Sequence, residues 1–189
     1  MKMKPGKITE ADTETVAREL SEIKLIDVRP VDAYNGWKEQ GEPGGGHIKG
    51  AKSLPAKWSK YIDWIEIVRS KGIVPEDNIV VYGYEKEEAE SVARLFEKVG
   101  YPNVRAYHGF MEWSAGDYPM EHLPRYKNLV SARWLKELIE IGEAAEYNND
   151  KCVICHAHYQ NRGDYEDGHI PGAIDIDTNS LESTETWNR

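Results

Sequence analysis

A six-residue turn sequence occurs twice in this chain of 189 residues. Gly46-His47-Ile48-Lys49-Gly50-Ala51 returns 122 residues later as Gly168-His169-Ile170-Pro171-Gly172-Ala173. Each copy follows a short apolar run and a loop with aromatic residues. In the first, Leu25-Ile26-Asp27-Val28-Arg29 is followed by Tyr34 and Trp37; in the second, Val153-Ile154-Cys155-His156 is followed by Tyr159 and Tyr165. A helix-like segment precedes each, over 10–20 and 130–141. A repeat of this length is a whole domain rather than a solenoid unit. The first copy has residues 52–126 in which to complete its fold, the second only 174–189. The pattern predicts a complete domain over 1–115, a linker over 116–128 rich in proline and poor in periodicity, and the opening half of a second domain over 129–189.

At 40% hydrophobic residues the chain can bury a core, and at 30% charged residues it reads as a soluble protein. The net charge of −9 argues against general nucleic-acid binding, which needs basic patches to neutralise phosphates. It equally disfavours adhesion to anionic membranes, and no apolar run approaches the roughly 18 residues of a membrane helix. The basic start, Met1 to Lys7, is followed by no hydrophobic region and does not read as a signal peptide. Two cysteines are not a disulfide framework. The compartment stays open.

Local patterns predict a helix over 9–21, with Thr9 or Asp12 as its cap, and a strand over 24–28. A long loop over 29–50 ends in Gly44-Gly45-Gly46. Trp58, Ile62, Ile65 and Val68 recur at helical spacing up to Gly72, predicting a helix closed by that glycine. Residues 78–82 are apolar after Asn78, as a central parallel strand buried on both faces requires. A helix over 87–99 closed by Gly100, a strand over 104–107 and a short helical turn over 109–113 follow. In the second unit the pattern gives a helix near 131–141, a polar loop over 143–150, and strands near 152–156 and 173–177. Alternating strands and helices predict an α/β fold, a doubly wound parallel sheet with helices on both faces.

Leu25-Ile26-Asp27-Val28-Arg29, the Gly-His-Ile-x-Gly-Ala turn, Asn78-Ile79-Val80-Val81-Tyr82 and the stretch from Gly100-Tyr101-Pro102-Asn103-Val104 through Gly109 to Trp113 resemble the rhodanese (thiosulfate sulfurtransferase) domain, in that family's order and spacing, over about residues 8–115. Residues 129–177 resemble the first half of a second such domain. Asp27-Val28-Arg29-Pro30 followed by Ala33-Tyr34-Asn35-Gly36-Trp37, and Ile176-Asp177-Thr178-Asn179 leading to Trp187-Asn188, are similar to the N-terminal part of a sulfurtransferase with three rhodanese modules. The resemblance implies a doubly wound α/β domain. It also implies a loop cysteine after the central strand whose thiolate takes the outer sulfur of thiosulfate, becomes a persulfide, and passes that sulfur to cyanide or another thiol. The loop amides cradle the anion, and an arginine late in the loop helps hold it.

Set against that pattern, the position of the nucleophile is Gly83. The loop continues Tyr84-Glu85-Lys86-Glu87-Glu88, so Glu88 stands where the arginine belongs. Three carboxylates against one lysine repel anions and disfavour a thiolate. This domain is therefore expected to be inactive in sulfur transfer. A phosphatase on the same fold needs the same cysteine and arginine and fails on the same residues. Asp27 and Arg29 read as a structural pair holding the long loop by charge-assisted hydrogen bonds. His47 and His169 read as turn residues that satisfy backbone groups rather than bind metal. Gly44-Gly45-Gly46 has no following Gly-Lys-Ser/Thr and reads as a flexible turn, not a phosphate loop. Trp58, Ile62, Trp64 and Ile65 read as packing residues.

Cys152-Val153-Ile154-Cys155-His156, with His158, matches the haem-attachment pattern. The repeat places it on a strand, where residues three apart face opposite ways, so both sulfurs cannot grip one haem or close a disulfide. Cys155 aligns with Asp27 rather than Gly83 and does not inherit the nucleophile. No cofactor or metal is implied. The half unit over 129–189 lacks a central strand and covering helices; it is expected to pack on the complete domain, to swap between two chains as a homodimer, or to be partly mobile. The reading is a non-catalytic N-terminal fragment of a thiosulfate sulfurtransferase. Its expected partners are the remaining rhodanese domains and sulfur donor or acceptor proteins. Two rivals stand beside it. One is sulfur transfer through Cys152 or Cys155, which alkylation of both would abolish. The other is a regulatory module whose acidic loop captures a basic partner.

Overall fold

The computed structural model describes residues 7–38, 41–144, 147–148 and 152–181. Trp187 and Asn188 of the sequence motif lie outside the described residues. The chain forms two compact units, residues 1–131 and 132–189.

The first unit runs β1 (Thr9–Ala11), α1 (Thr13–Glu19), β2 (Lys24–Asp27), α2 (Val31–Asn35), β3 (His47–Ile48), β4 (Lys52–Ser53), a 3-10 turn (Ala56–Lys60), α3 (Trp64–Ser70), β5 (Ile79–Tyr82), α4 (Lys86–Lys98), β6 (Val104–Tyr107), α5 (Phe110–Ala115) and β7 (Met120–Glu121). Five strands build one sheet in the order β1-β6-β5-β2-β4, and every pairing is parallel. This is the doubly wound α/β architecture that the alternating pattern predicts. Side chains of a strand alternate between faces, and the core divides accordingly. Ile26, Val28, Ile79, Val81, Val104 and Ala106 pack with Trp64 and Val68 of α3 and Ala89, Val92, Ala93 and Phe96 of α4. Leu25, Val80, Tyr82 and Tyr107 point the other way, to Val16 of α1 and Phe110 and Trp113 of α5. β5 lies at the centre, and all four of its residues are buried. Burying a side chain of this kind is worth about 1.5–3 kcal/mol, which is why these short runs dominate the fold.

Several elements differ from the sequence pattern. Residues 9–11 are not the start of a helix: they form the edge strand β1, in register with Arg105, Ala106 and Tyr107. The helix starts later because Asp12, not Thr9, caps it, its carboxylate accepting from the Thr15 amide at 2.8 Å. The helix expected over 58–72 is broken. Tyr61 is extended at the end of the 3-10 turn, and α3 restarts at Trp64. Ile62 falls in the break and is fully exposed, so it is not a packing residue.

Residues 116–128, read from the sequence as a linker, fold back on the first unit. Met120 and Glu121 pair antiparallel with Ile48 and His47. The Leu123 amide donates to the Asn35 carbonyl, and the Trp37 indole donates to the Leu129 carbonyl. Of the three glycines, Gly45 and Gly46 are not a loose turn, whereas Gly44 has open space around it. A Cβ at Gly45 would lie 1.7 Å from the Gly36 carbonyl oxygen, so the two backbones approach too closely for any side chain.

The second unit contains α6 (Ala132–Ile141), a short antiparallel pair β8 (Glu143–Ala144) and β9 (Tyr147–Asn148), then β10 (Cys155–His158), α7 (Gly163–Asp167) and β11 (Ile174–Asp177). β10 pairs parallel with β11. The strand begins at Cys155 rather than Cys152, because its partner starts at Ile174, after the turn at Gly172. Among the described residues no helix is long and apolar enough to cross a membrane.

Candidate functional site

The C-terminal ends of β2 and β5 meet at the centre of the first sheet, the end where parallel α/β sheets place their ligand sites. β5 delivers Tyr82 and then Gly83; β2 delivers Asp27, Val28 and Arg29. Arg29 and Asp27 are both fully buried. The guanidinium donates through Nε to Asp27 Oδ1 at 3.0 Å and through Nη2 to Asp27 Oδ2 at 2.7 Å. Nη1 donates to Glu42 Oε2 at 3.0 Å and Nη2 to the Gly46 carbonyl at 2.6 Å. The guanidinium also lies 3.6 Å from the centre of the Phe110 ring, a favourable cation–π placement. Burial alone would disfavour the guanidinium charge, but the Asp27 carboxylate outweighs it, so the Arg29 pKa lies above its usual value.

Two tyrosines complete this network. Tyr82 donates its hydroxyl to Asp27 Oδ2 at 2.9 Å and accepts from the Ile48 amide at 3.1 Å. Burial first, then the Asp27 charge, raises its pKa well above the ordinary value, so it stays a donor. Tyr84 donates to the other Glu42 oxygen at 3.1 Å. The long loop over 29–50 is thereby tied to two strands through one arginine. The buried polar atoms of Asp27, Arg29, Glu42, Tyr82 and Tyr84 are spent on one another rather than on an open cleft.

The loop after β5 presents no nucleophile. A Cβ built on Gly83 would meet the Val28 Cγ2 methyl at 2.9 Å and Glu88 Oε2 at 3.6 Å. Lys86 pairs with Glu10 and approaches Glu90 Oε1 at 3.7 Å. A cavity of about 210 Å³ opens beside the loop, lined by Val28, Pro30, Pro55, Ala56, Lys57 and Glu88. An adjoining one of about 260 Å³ shares Ala56, Lys57 and Glu88. Burial, then the charges of Glu85 and Asp27, raises the Glu88 pKa. A carboxyl group whose pKa is raised on folding favours the folded state while protonated, and that advantage is lost as pH rises through the carboxylate range. Glu88→Gln is therefore expected to raise the thermal unfolding midpoint at pH 7. The gain should shrink toward pH 4; a gain independent of pH would show that charge is not the cause.

His47 stacks on Tyr34 with ring centres 3.7 Å apart, and its Nδ1 lies 2.7 Å from the Tyr34 carbonyl oxygen. His169 repeats this on Tyr165, at 3.9 Å and 2.8 Å. Tyr34 and Tyr165 donate in turn to the carbonyls of Ala51 and Ala173. The turn motif thus has one local structure in both places, with each histidine satisfying a backbone carbonyl through Nδ1. The register between the repeats corrects one alignment. Ile26 pairs with Lys52, the residue after the first motif, and Cys155 pairs with Ile174, the residue after the second. The counterpart of Asp27 is therefore His156, and that of Arg29 is His158. Cys152 precedes the strand, and both cysteines are exposed and unbridged.

The sequence pattern missed Glu42 altogether, and named Tyr82 and Tyr84 only as strand and loop residues, without their place in the Arg29 network. Glu42 sits in an aperiodic loop and gives no signal. Tyr82 gives one: a hydroxyl closing a fully buried strand must find a partner.

This fold, with a loop crossing from the central strand to a covering helix, defines the class. The chain belongs to the rhodanese-like domain family, which it matches over residues 12–116. Thiosulfate sulfurtransferase YnjE of Escherichia coli (strain K12) is 26% identical to it over 169 residues, covering 88% of this chain and 38% of YnjE. Wild-type EanB superposes with a TM-score of 0.90 and 51% identity, over 100% of this chain and 45% of EanB. The anaerobic ergothioneine biosynthesis enzyme from Chlorobium limicola, solved with its natural substrate trimethyl histidine, superposes at 0.89 and 52%, over 97% of this chain and 44% of that enzyme. The chain spans less than half the length of each of these relatives.

Proposed function

We propose that this chain is a non-catalytic rhodanese-like module of a longer sulfurtransferase, one that builds ergothioneine or a related thiolated imidazole from a trimethylated histidine. One observation carries the inactive role: at the nucleophile position stands Gly83, closed over by a Val28 methyl and faced by Glu88. A persulfide needs a thiol there and a surrounding that favours negative charge; this loop has no thiol, and its one lysine, Lys86, is paired with Glu10 and Glu90. Identity above half across the chain to EanB supports the wider activity. One EanB structure carries a cysteine persulfide in a tetrahedral intermediate state with ergothioneine. The sulfur-carrying cysteine of the longer protein is then on another module, and this one packs against it, shapes its cleft, or docks a sulfur donor.

The test compares this chain with the longer protein in sulfur transfer from thiosulfate to trimethyl histidine and from thiosulfate to cyanide. An inert chain and an active longer protein support the proposal. Turnover by the chain alone, lost in Cys152→Ser/Cys155→Ser, would overturn it. So would removing residues 1–131 from the longer protein without effect on its stability, activity or partner binding.

A further inference from the structure

Three side chains from three separate elements converge away from the central network: Glu10 on β1, Glu90 on α4, and His108, the residue after β6. One ligand-type atom of each lies within 4.8 Å of the other two, the one such trio among the described residues. The fold makes this meeting. Parallel pairing sets Glu10 opposite Ala106, and α4 packs along β6, so a strand edge, a strand end and a helix face share one corner.

The corner already holds two cations, neither of which reaches the imidazole: Arg94 donates to Glu90 Oε2 at 3.2 Å, and Lys86 lies between the carboxylates. Lys86 bridges the two carboxylates, paired with Glu10 and 3.7 Å from Glu90 Oε1. It leaves the third group unserved. His108 Nε2 is buried, has no hydrogen-bond partner among the described residues, and lies 3.9 Å from Glu90 Oε1. A buried ring nitrogen without a partner calls for an explanation. A metal ion supplies one, because it takes the nitrogen lone pair and both carboxylates together.

We propose that Glu10, Glu90 and His108 form a binding site for a divalent metal ion of the zinc type, which displaces Lys86 when it binds. One imidazole and two carboxylates are donors zinc accepts, with water completing a tetrahedral shell. Zinc bonds of about 2.0–2.2 Å set ligand atoms roughly 3.4 Å apart, so the three arms must draw in by about an ångström. Glu10 is exposed and free to make most of that movement. Bound metal ties the edge strand β1 to β6 and α4. It also releases Lys86, the first residue of α4, beside the loop over 83–88.

The experiment is calorimetric titration of the 189-residue chain with zinc chloride, in a Cys152→Ser/Cys155→Ser background so that thiols do not compete. One zinc per chain is expected. His108→Asn and Glu90→Gln should each weaken binding by about tenfold or more, as loss of a ligand does. Lys86→Met should tighten it by about tenfold, since an internal competitor is gone. That gain cannot arise from misfolding, so the proposal stays testable if a ligand variant is unstable. Absence of stoichiometric binding in both the parent chain and Lys86→Met overturns the site. Binding that is indifferent to His108 and Glu90 does so as well.

Discussion

Arg29→Met is expected to destabilise the first unit by about 3–5 kcal/mol, the usual cost of removing one partner from a buried ion pair. Asp27 is fully buried and Glu42 nearly so, and both point at the guanidinium. Without it, two carboxylates remain away from water, and the Gly46 carbonyl loses its donor. Tyr82 and Tyr84 each still offer a hydroxyl, which limits the damage without neutralising the charge. Small domains hold only about 5–15 kcal/mol in all, so the loss is a large share of the total. Urea unfolding of the chain measures it. Asp27→Asn combined with Arg29→Met should recover part of the loss, because the orphaned charge is what costs. A single-variant loss below about 1 kcal/mol would mean that water reaches the network, since solvent-exposed ion pairs are worth that little.

Placing a cysteine at the nucleophile position is expected to leave sulfur transfer at background. Gly83→Cys brings a Cβ to 2.9 Å from the Val28 methyl, an overpacking that costs roughly 1–3 kcal/mol. The new thiol also faces the Glu88 carboxylate, 3.6 Å from the Cβ position, whose negative charge raises its pKa and lowers the thiolate fraction. Combining Gly83→Cys with Val28→Ala and Glu88→Arg removes the clash and reverses the charge. The thiol should then be alkylated at neutral pH about tenfold faster or more, as a pKa lower by one or more units allows. A persulfide found by mass spectrometry on the single Gly83→Cys variant, after incubation with thiosulfate, would refute this account of the loop.

The two results probe features of unequal visibility in the sequence. Gly83 and Glu88 are readable directly, because a nucleophile and an anion cradle are requirements on residue type at fixed positions. The buried strands are also readable, since Leu25-Ile26 and Ile79-Val80-Val81 are apolar runs too short and too branched for helices. Glu42 is not readable. It lies 13 residues from Arg29, in a loop without periodicity, and its role exists only once that loop folds back. Strand β1 is missed for the same reason. Thr9-Glu10-Ala11 has little strand character, and its conformation is set by hydrogen bonds to residues nearly a hundred positions away. The break at Tyr61 was hidden by a helical spacing that ran through it.

By itself, the sequence determined the alternation of strands and helices, the two copies of the histidine turn, and the absence of a nucleophile after the central strand. Each follows from residue type and short-range spacing, which operate before any tertiary contact exists. Only the tertiary structure decided where the first unit ends, which residues neutralise Arg29, that Gly83 is closed by Val28, and that Glu10, Glu90 and His108 meet. Those are distances between residues far apart along the chain. They are fixed by the register of parallel strands and by the burial of charge, and no local pattern contains them.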